Sequence, residues 1–485
     1  MTDDCILLAS LARAALQRPD AVAVQCAGVC LTYGGMAETL RAFREKLPAL
    51  HGRRVLIMLP DSLASYLAHL TSFIDGAITI PVSPQTPSAR LEAICGRVQP
   101  HLVITTVLLH ARHEAAFAAI PCARVAAEPA DHVFGSVDLV GPGPRPRTAG
   151  APDELRMIVF TSGSTGEPKG VCLTRSNLLF AAQTNTMMLG LDERRTSVVT
   201  VPLFDYYGFI QIYSHLLGGS RCIMGESSAF PARILSAIED GCATDLVSVP
   251  HTLRKLVELA ESGAAAGALA SLGTVTSSSD YLDPALVERL SALNPSLVVY
   301  NIYGLTEAGR ASFQRIDAHS KGRQSIGRAA AGVEIALDDT SGEIIIRGPN
   351  VMRGYLQSAD GDRVIVQPCT EMRTGDLGAR SEDGEIVLLG RRDSLLNIKG
   401  TKVHPAEIER VALRVVNVRD ARARSIVHGG ETAIHLDLVA DDEIESAKAV
   451  RRELLRGLPP ALLPREITCV PQIARTELGA KLLRN

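Results

Sequence analysis

Residues 161–170 concentrate hydroxyl, glycine and lysine side chains in the order Thr-Ser-Gly-Ser-Thr-Gly-Glu-Pro-Lys-Gly. They follow an apolar run, residues 157–160, that has the composition of a buried strand. Glycines expose backbone N–H groups to a ligand, hydroxyls donate to phosphate oxygens, and a lysine offsets negative charge. We therefore expect this segment to bind phosphate. It is not a P-loop, because Pro168 stands at the place of the second glycine and Gly170 follows Lys169.

This segment resembles, almost letter for letter, the signature Thr-Ser-Gly-Ser/Thr-Thr-Gly-x-Pro-Lys-Gly of the adenylate-forming superfamily. The superfamily comprises acyl- and aryl-CoA synthetases, adenylation domains of nonribosomal peptide synthetases and firefly-type luciferases. The resemblance implies an enzyme that uses ATP and Mg²⁺ to convert a carboxylic acid into its acyl-adenylate with release of pyrophosphate. It also implies that ATP is contacted by Thr161, Ser162, Gly163, Ser164, Thr165, Gly166 and Lys169.

Residues 303–307, Tyr-Gly-Leu-Thr-Glu, resemble a second superfamily signature, Tyr-Gly-x-Thr-Glu. The resemblance implies that Tyr303 stacks on adenine, that Thr306 contacts phosphate and that Glu307 helps to hold Mg²⁺. An aromatic face suits a base, and carboxylate oxygen suits a hard cation. Thr306 and Glu307 are therefore candidate catalytic residues, and Glu307 is the candidate metal ligand.

Two later segments resemble the ribose contacts and the domain hinge. Residues 374–376 resemble Thr-Gly-Asp, which implies that Asp376 accepts hydrogen bonds from ribose hydroxyls, and Arg391 resembles a second ribose contact. Asp393 resembles the pivot between a large and a small domain. Gly400 resembles the glycine that lines the thiol tunnel of relatives.

The segment at residues 476–484 resembles the C-terminal pattern Thr-x-x-Gly-Lys-x-x-Arg. The resemblance implies that Lys481 is catalytic and stabilises charge on the carboxylate and the α-phosphate while the adenylate forms. Ala480 stands between Gly479 and Lys481, one residue more than the pattern has, so the register of Lys481 stays open. The ordered motifs extend the resemblance over roughly residues 5–485.

The acid-binding pocket is defined less sharply. Residues 201–209 resemble the stretch that begins this pocket in relatives. Asp205 either replaces the histidine or aromatic residue of acyl- and aryl-CoA synthetases, or pairs with a substrate ammonium as in amino-acid-activating relatives, since a buried carboxylate needs a partner. Arg310 either binds a second acid group of the substrate or neutralises Asp205 or Glu307, and we favour neutralisation. The other candidate pocket residues are Thr276, Ser278 and Ile302.

The elements that must position these residues alternate along the chain. Apolar runs at residues 54–59, 77–82 and 101–105 are separated by helical stretches, which predicts an α/β fold with parallel-type sheets and flanking helices. Beyond about residue 330, short strands divided by Asp, Gly and Ser predict an antiparallel, barrel-like portion. We expect a large N-terminal domain at 1–391 and a small, mobile α+β domain at 392–485.

Composition and net charge narrow the classes of partner that the chain is expected to bind. With 46% hydrophobic and 21% charged residues and a net charge of −3, the chain has the balance of a soluble protein and no electrostatic footprint for nucleic acid or an anionic membrane. An acidic N-terminus predicts a cytoplasmic protein without a signal peptide. The expected partners are a carboxylic acid and a thiol, of CoA or of a separate carrier protein, in secondary metabolism. The alternative is adenylation of an amino acid for a separate carrier protein or an amine.

Two other classes of function compete with this interpretation. One is oxidation of the luciferase type, for which the sequence offers no supporting feature. The other is a degenerate homologue that binds a nucleotide without turnover. Against the degenerate homologue, the chain keeps the chemistry expected at Lys169, Glu307, Asp376, Arg391 and Lys481.

Overall fold

The structure is a computed structural model of the 485-residue chain. It describes residues 4–125, 137–140, 155–161, 169–263, 266–318, 325–360, 363–392, 396–398, 401–428, 431–457 and 463–474. Among these residues, no helix is both long enough and apolar enough to cross a membrane.

Strands and helices alternate through the first third of the chain, as the sequence predicts. The elements are α1 (Asp4–Gln17), β1 (Val22–Cys26), β2 (Val29–Thr32), α2 (Tyr33–Glu45), β3 (Arg54–Met58), α3 (Leu63–Ile74), β4 (Ile78–Pro81), α4 (Ser88–Val98), β5 (Leu102–Thr106), α5 (Val107–Arg112), α6 (Glu114–Phe117), β6 (Cys122–Val125), β7 (Val137–Val140), β8 (Leu155–Thr161) and β9 (Lys169–Thr174). All five residues of β3 are buried, which explains its continuous apolar run.

The alternation continues through the middle of the chain. The elements are α7 (Arg175–Leu189), β10 (Thr196–Val199), α8 (Tyr206–Gly218), β11 (Arg221–Met224), α9 (Pro231–Asp240), β12 (Asp245–Ser248), α10 (Pro250–Glu261), α11 (Ala266–Ala270), β13 (Thr274–Ser277), α12 (Pro284–Leu293), β14 (Val298–Leu305), β15 (Ala308–Ile316) and β16 (Arg328–Ala329). Strands β12, β13 and β14 pair in parallel, and β14 pairs antiparallel with β15.

The last part of the chain is richer in strands. The elements are β17 (Glu334–Leu337), β18 (Glu343–Arg347), β19 (Gly354–Asp360), β20 (Arg363–Pro368), β21 (Met372–Arg380), β22 (Ile386–Arg391), β23 (Leu396–Ile398), β24 (Thr401–Val403), α13 (Pro405–Leu413), β25 (Val418–His428), β26 (Glu431–Ala440), α14 (Glu443–Gly457) and β27 (Glu466–Cys469). Strands β17, β18, β21 and β22 form the expected antiparallel portion.

Two nine-stranded sheets hold the strands next to residues 161–170 and 303–307, whereas Asp376 and Arg391 lie in the four-stranded sheet of β17, β18, β21 and β22. The orders of the two nine-stranded sheets are β20-β19-β9-β8-β4-β3-β5-β6-β7 and β16-β15-β14-β13-β12-β10-β11-β1-β2. Both sheets are parallel at the centre and antiparallel at their edges, so they are mixed. Helices α3 and α8 share one hydrophobic cluster with strands of both sheets, such as β1 and β3, and this cluster is the main core.

The C-terminal segment has a core of its own. Strands β25, β26 and β27 form a separate sheet, and α13 and α14 contribute to the same cluster through Ile408, Ala412, Val450 and Leu454. This α+β arrangement agrees with the expected fold class. The boundary at residues 391 and 392 and the mobility of the small domain stay predictions.

Candidate active site

Two residues from two other strands, Tyr303 and Arg391, meet at Asp376. The Tyr303 hydroxyl donates to Asp376 Oδ2 at 2.8 Å, and Arg391 Nη1 lies 3.4 Å from Asp376 Oδ1. Strands β21 and β22 pair with Asp376 directly opposite Arg391, and this register brings the carboxylate and the guanidinium together. Burial raises the pKa of the Tyr303 hydroxyl, so this group stays protonated and acts as a donor.

A cavity of about 350 Å³ opens beside these residues. We call it the Tyr303 cavity; its lining includes Tyr303, Gly304, Asp376 and Arg391, together with apolar side chains such as Leu388. Its volume lies within the range of small-molecule sites, which join apolar walls to a few polar groups. An aromatic face, a carboxylate acceptor and a cation in one cavity suit the base and the sugar of a nucleotide.

Glu307 lies in the turn between β14 and β15 and contacts a residue that the sequence analysis did not select. The hydroxyl of Tyr355, in β19, donates to Glu307 Oε1 at 3.1 Å. Lys169 Nζ lies 5.5 Å from the centre of the Tyr355 ring. Thr161 pairs with Lys169 across β8 and β9. Thr161 and Lys169, near the two ends of segment 161–170, therefore lie near Glu307. Tyr355 contacts both Lys169 and Glu307, and no sequence pattern marked it for this role.

The acid-pocket candidates form a second group, which we call the Tyr207 cluster: Asp205, Tyr207, Thr276 and Arg310. Asp205 is the N-cap of α8, because its Oδ1 accepts from the Tyr207 backbone N–H at 2.8 Å. The Tyr207 hydroxyl lies 3.1 Å from Thr276 Oγ1, and the guanidinium carbon of Arg310 lies 4.7 Å from the centre of the Tyr207 ring. Tyr207 thus joins side chains from α8, β13 and β15.

Burial raises the pKa of the Asp205 carboxyl to about 6, although the Tyr207 N–H and the Arg310 charge both favour its ionised form. The expected neutralisation of Asp205 takes the form of a charge interaction without direct pairing: within the part of the chain that the structure describes, Arg310 forms no ion pair with Asp205 or Glu307. Asp205 instead satisfies the N-terminus of a helix, and Glu307 accepts from Tyr355.

Two further candidates connect the sites. Ser278 Oγ donates to the backbone carbonyl of Ile302 at 2.9 Å, and Ile302 lines the Tyr303 cavity. Ile302 therefore belongs to the wall of that cavity, and Ser278, which follows Thr276 by two residues in the chain, contacts this wall. Thr306 precedes Glu307 in the same turn and is partly exposed.

The family model that describes an AMP-binding enzyme matches residues 11–356. The chain belongs to this family. The expected membership of the adenylate-forming superfamily is thereby confirmed, and so is the expected α/β fold.

Curated relatives of this AMP-binding enzyme belong to several kinds of ligase and synthase. The isonitrile lipopeptide synthase of Streptomyces coeruleorubidus is 28% identical over 99% of this chain and 33% of its own length. The peroxisomal OPC-8:0-CoA ligase 1 of Arabidopsis thaliana is 28% identical over 76% of this chain and 71% of its own length. The L-proline–[L-prolyl-carrier protein] ligase of Pseudomonas fluorescens is 26% identical over 93% of this chain and 92% of its own length. The chain thus spans a third of the first relative and most of the other two.

The solved structure of the amide bond synthetase McbA from Marinactinospora thermotolerans has the same fold. Its TM-score is 0.78 at 21% identity, and the match covers 98% of both chains. The expected reaction class, activation of an acid as its adenylate before transfer to a thiol or an amine, is consistent with the names of these relatives.

Several candidates of this AMP-binding enzyme lie outside the described residues, and their roles stay predictions. They are Ser162, Gly163, Ser164, Thr165, Gly166, Asp393, Gly400 and Lys481.

Proposed function

We propose that the chain uses ATP and Mg²⁺ to activate a carboxylic acid as acyl-AMP and then transfers the acyl group to a thiol. The observation that carries this proposal is the convergence of Tyr303 and Arg391 on Asp376 beside the Tyr303 cavity. The aromatic ring offers a face for adenine, and the carboxylate offers an acceptor for ribose hydroxyls. The phosphates would then extend towards Thr306 and Lys169.

Glu307 is the proposed magnesium ligand. Among the residues that the structure describes, no three acidic, histidine or cysteine side chains lie close enough together to hold a metal by themselves. One carboxylate still fits Mg²⁺, because this ion usually binds through one or two carboxylates, with phosphate oxygens and water completing its coordination. The ion would neutralise charge on the phosphates, and the Tyr355 hydroxyl would orient the carboxylate.

The proposed reaction has two steps. In the first, a carboxylate oxygen attacks the α-phosphorus of ATP, the bond from that phosphorus to the bridging oxygen breaks, and pyrophosphate leaves. Thr161, the hydroxyls of residues 162–166 and Lys169 would bind the phosphates, while Lys481 would stabilise charge on the reacting groups. In the second step, a thiol sulfur attacks the carbonyl carbon, the thiol proton passes to solvent, and AMP leaves with the former carboxylate oxygen.

The acceptor is proposed to be the thiol of CoA or of a separate carrier protein. The named activities of the Arabidopsis CoA ligase and the Pseudomonas carrier-protein ligase support a thiol. Gly400 would line the path of this thiol after the small domain rotates at Asp393. An amine acceptor, as in the name of the amide bond synthetase McbA, is the alternative.

ATP–pyrophosphate exchange tests the proposed first step. With a panel of aliphatic, aromatic, dicarboxylic and amino acids, we expect at least one acid to support exchange that requires Mg²⁺. Glu307→Gln should lower this exchange by roughly tenfold or more, because the ligand charge is lost while the shape is kept. Glu382→Gln, on an exposed turn, is the matched control and should behave like the wild type. Absence of exchange with every acid would refute the proposed function.

An amino acid is the second candidate substrate, favoured by the match to the proline-activating ligase over 93% of this chain. Asp205 would then pair with the substrate ammonium. Two observations favour an acid without an ammonium group instead. Asp205 Oδ1 already caps α8, and the Arg310 cation lies over the Tyr207 ring, where it would repel an ammonium.

Asp205→Asn is expected to leave kcat/KM for a des-amino acid nearly unchanged and to raise the thermal unfolding midpoint at pH 8 by about 1–3 °C. The pKa of about 6 lies above the ordinary 3.8, so the folded state holds this proton more tightly than the unfolded state. The wild type therefore loses stability as the pH rises from about 4 to 6. Asparagine carries no charge, yet its oxygen still caps the helix. Near pH 4 both proteins should unfold at nearly the same temperature.

Asp205→Ala is the control for the cap. It lacks the capping oxygen and should lower the unfolding midpoint at both pH values. If Asp205→Asn impaired only the amino member of a matched amino and des-amino pair, the ammonium contact would be established and the proposed acid class would be wrong.

A further inference from the structure

Arg310 is a buried cation whose hydrogen-bonding capacity is largely unused. Its exposed fraction is 3%. Among the described residues, neither its Nε nor its Nη2 has a hydrogen-bond partner, and its guanidinium carbon lies 4.7 Å from the centre of the Tyr207 ring. Buried polar groups are almost always hydrogen-bonded, and a buried charge needs a counter-charge. Asp205 is near enough to act on this charge, but among the described residues no carboxylate accepts a hydrogen bond from Nε or Nη2.

The nearby carboxylates are engaged elsewhere. Asp205 Oδ1 accepts from the N–H of Tyr207, and Glu307 Oε1 accepts from the hydroxyl of Tyr355. Neither forms an ion pair with Arg310. The unused donors thus remain available to a ligand.

The backbone holds Arg310 in an unusual conformation. Its φ is +55°, in the left-handed region that is unfavourable for a residue with a side chain. Gly309 precedes it, and a Cβ atom there would lie 2.3 Å from the Tyr206 hydroxyl oxygen. The chain is therefore packed tightly against the start of α8, which places the guanidinium over Tyr207. Such conformations concentrate at ligand-binding sites.

Arg310 lies where the acid would bind, not where the nucleotide base would bind. Tyr207 reaches Thr276 near the carboxyl end of β13, and ligands of open parallel sheets bind beyond the carboxyl ends of the strands. Ser278 links this region to Ile302 in the wall of the Tyr303 cavity. An acid in the Tyr207 cluster would thus lie beside the nucleotide, as attack on the α-phosphorus requires.

The two unused nitrogens define the shape of the missing group. Nε and Nη2 lie on the same edge of the guanidinium, so their N–H groups point in parallel. This edge matches the two oxygens of one carboxylate, which it binds with two parallel hydrogen bonds. A neutral tail would leave both donors buried without a partner.

We propose that Arg310 binds a second carboxylate of the substrate, remote from the carboxylate that is activated, so that the enzyme prefers dicarboxylic acids. The inference rests on the proposed function, because it names the class of acid that the proposed reaction uses. It also assigns Arg310 as a residue that determines specificity, with the Tyr207 ring as the surface against which the guanidinium lies.

The test compares short α,ω-dicarboxylic acids with methyl-terminated monocarboxylic acids of the same length in ATP–pyrophosphate exchange. For the wild type, kcat/KM with the better diacid should exceed kcat/KM with the monoacid of the same length by at least tenfold. Arg310→Met, which keeps an unbranched stem but is shorter and has no donors, should lose on the order of 10²-fold with that diacid. Its use of the monoacid should be unchanged or improved. Arg310→Lys keeps the charge without the fork and should retain an intermediate preference.

Arg328→Met is the matched control, because Arg328 is exposed on β16 and belongs to neither site. It should keep the wild-type ratio of diacid to monoacid. The inference is overturned if the wild type uses both acids equally, or if Arg310→Met loses both alike. A rise in KM for ATP with every acid would overturn it too, because Arg310 would then contact the phosphates.

Failure of the proposed function has a different signature, namely no exchange with any acid in the wild type. If Arg310→Met does not fold, the inference is tested on the wild type, by measuring how far each acid raises its thermal unfolding midpoint. In the presence of AMP, the diacid should raise the unfolding midpoint more than the matched monoacid, and equal shifts would overturn the inference.

Discussion

Replacing Lys481 by alanine is expected to lower the rate of acyl-adenylate formation by on the order of 10²-fold or more, the scale for loss of one charge-stabilising donor. Acyl transfer from pre-formed acyl-AMP should be largely kept. The reason is that Lys481 follows the predicted hinge at Asp393, so it would reach the reacting groups in only one position of the small domain. Separate assays of the two half-reactions measure the difference.

Lys448→Ala is the control for this experiment, because Lys448 is an exposed lysine on α14 of the same segment. It should affect neither step. Equal loss of both half-reactions in Lys481→Ala would mean that the lysine is structural. Deletion of Ala480 tests the register separately: the deletion should impair adenylation if Lys481 already occupies the catalytic position, and should enhance adenylation if the extra residue displaces it.

Asp376→Ala is expected to raise KM for ATP by roughly ten- to a hundredfold, with a smaller effect on kcat. The substitution removes the proposed acceptor for the ribose hydroxyls. It also removes the acceptor of the Tyr303 hydroxyl, at 2.8 Å, and a counter-charge of Arg391, so the aromatic face and the cation each lose a contact that helps to orient them. Exchange kinetics at varied ATP, together with calorimetric titration of AMP, measure the effect.

Two variants sharpen the interpretation of Asp376→Ala. Asp376→Asn keeps an oxygen for Tyr303 but loses the charge, so its KM for ATP should lie between those of the wild type and Asp376→Ala. Asp383→Ala, on an exposed turn between β21 and β22, should leave KM unchanged. A fall in kcat at constant KM for ATP would contradict the assignment of Asp376 to nucleotide binding.

The positions of the central strands could be predicted because a strand that is buried on both faces has a continuous apolar sequence. The run at residues 101–105 became β5 (Leu102–Thr106), and the run at 77–82 became β4 (Ile78–Pro81). The place of β19 in the first sheet could not be predicted in this way. It pairs with β9, with Gly354 opposite Cys172, and a pairing between residues so far apart leaves no local pattern in either segment.

By itself, the sequence determined the chemistry that is available: hydroxyls, glycines and a lysine in residues 161–170, an aromatic residue and a carboxylate in residues 303–307, and the order of the motifs along the chain. Only the tertiary structure decided which partner each group received. Tyr303 and Asp376 are 73 residues apart and Glu307 and Tyr355 are 48 apart, so the packing and register of strands bring them together. The same packing made Asp205 a helix cap and left one edge of Arg310 without a partner among the described residues. Local spacing specifies an element, whereas contacts between elements follow from how their buried faces pack.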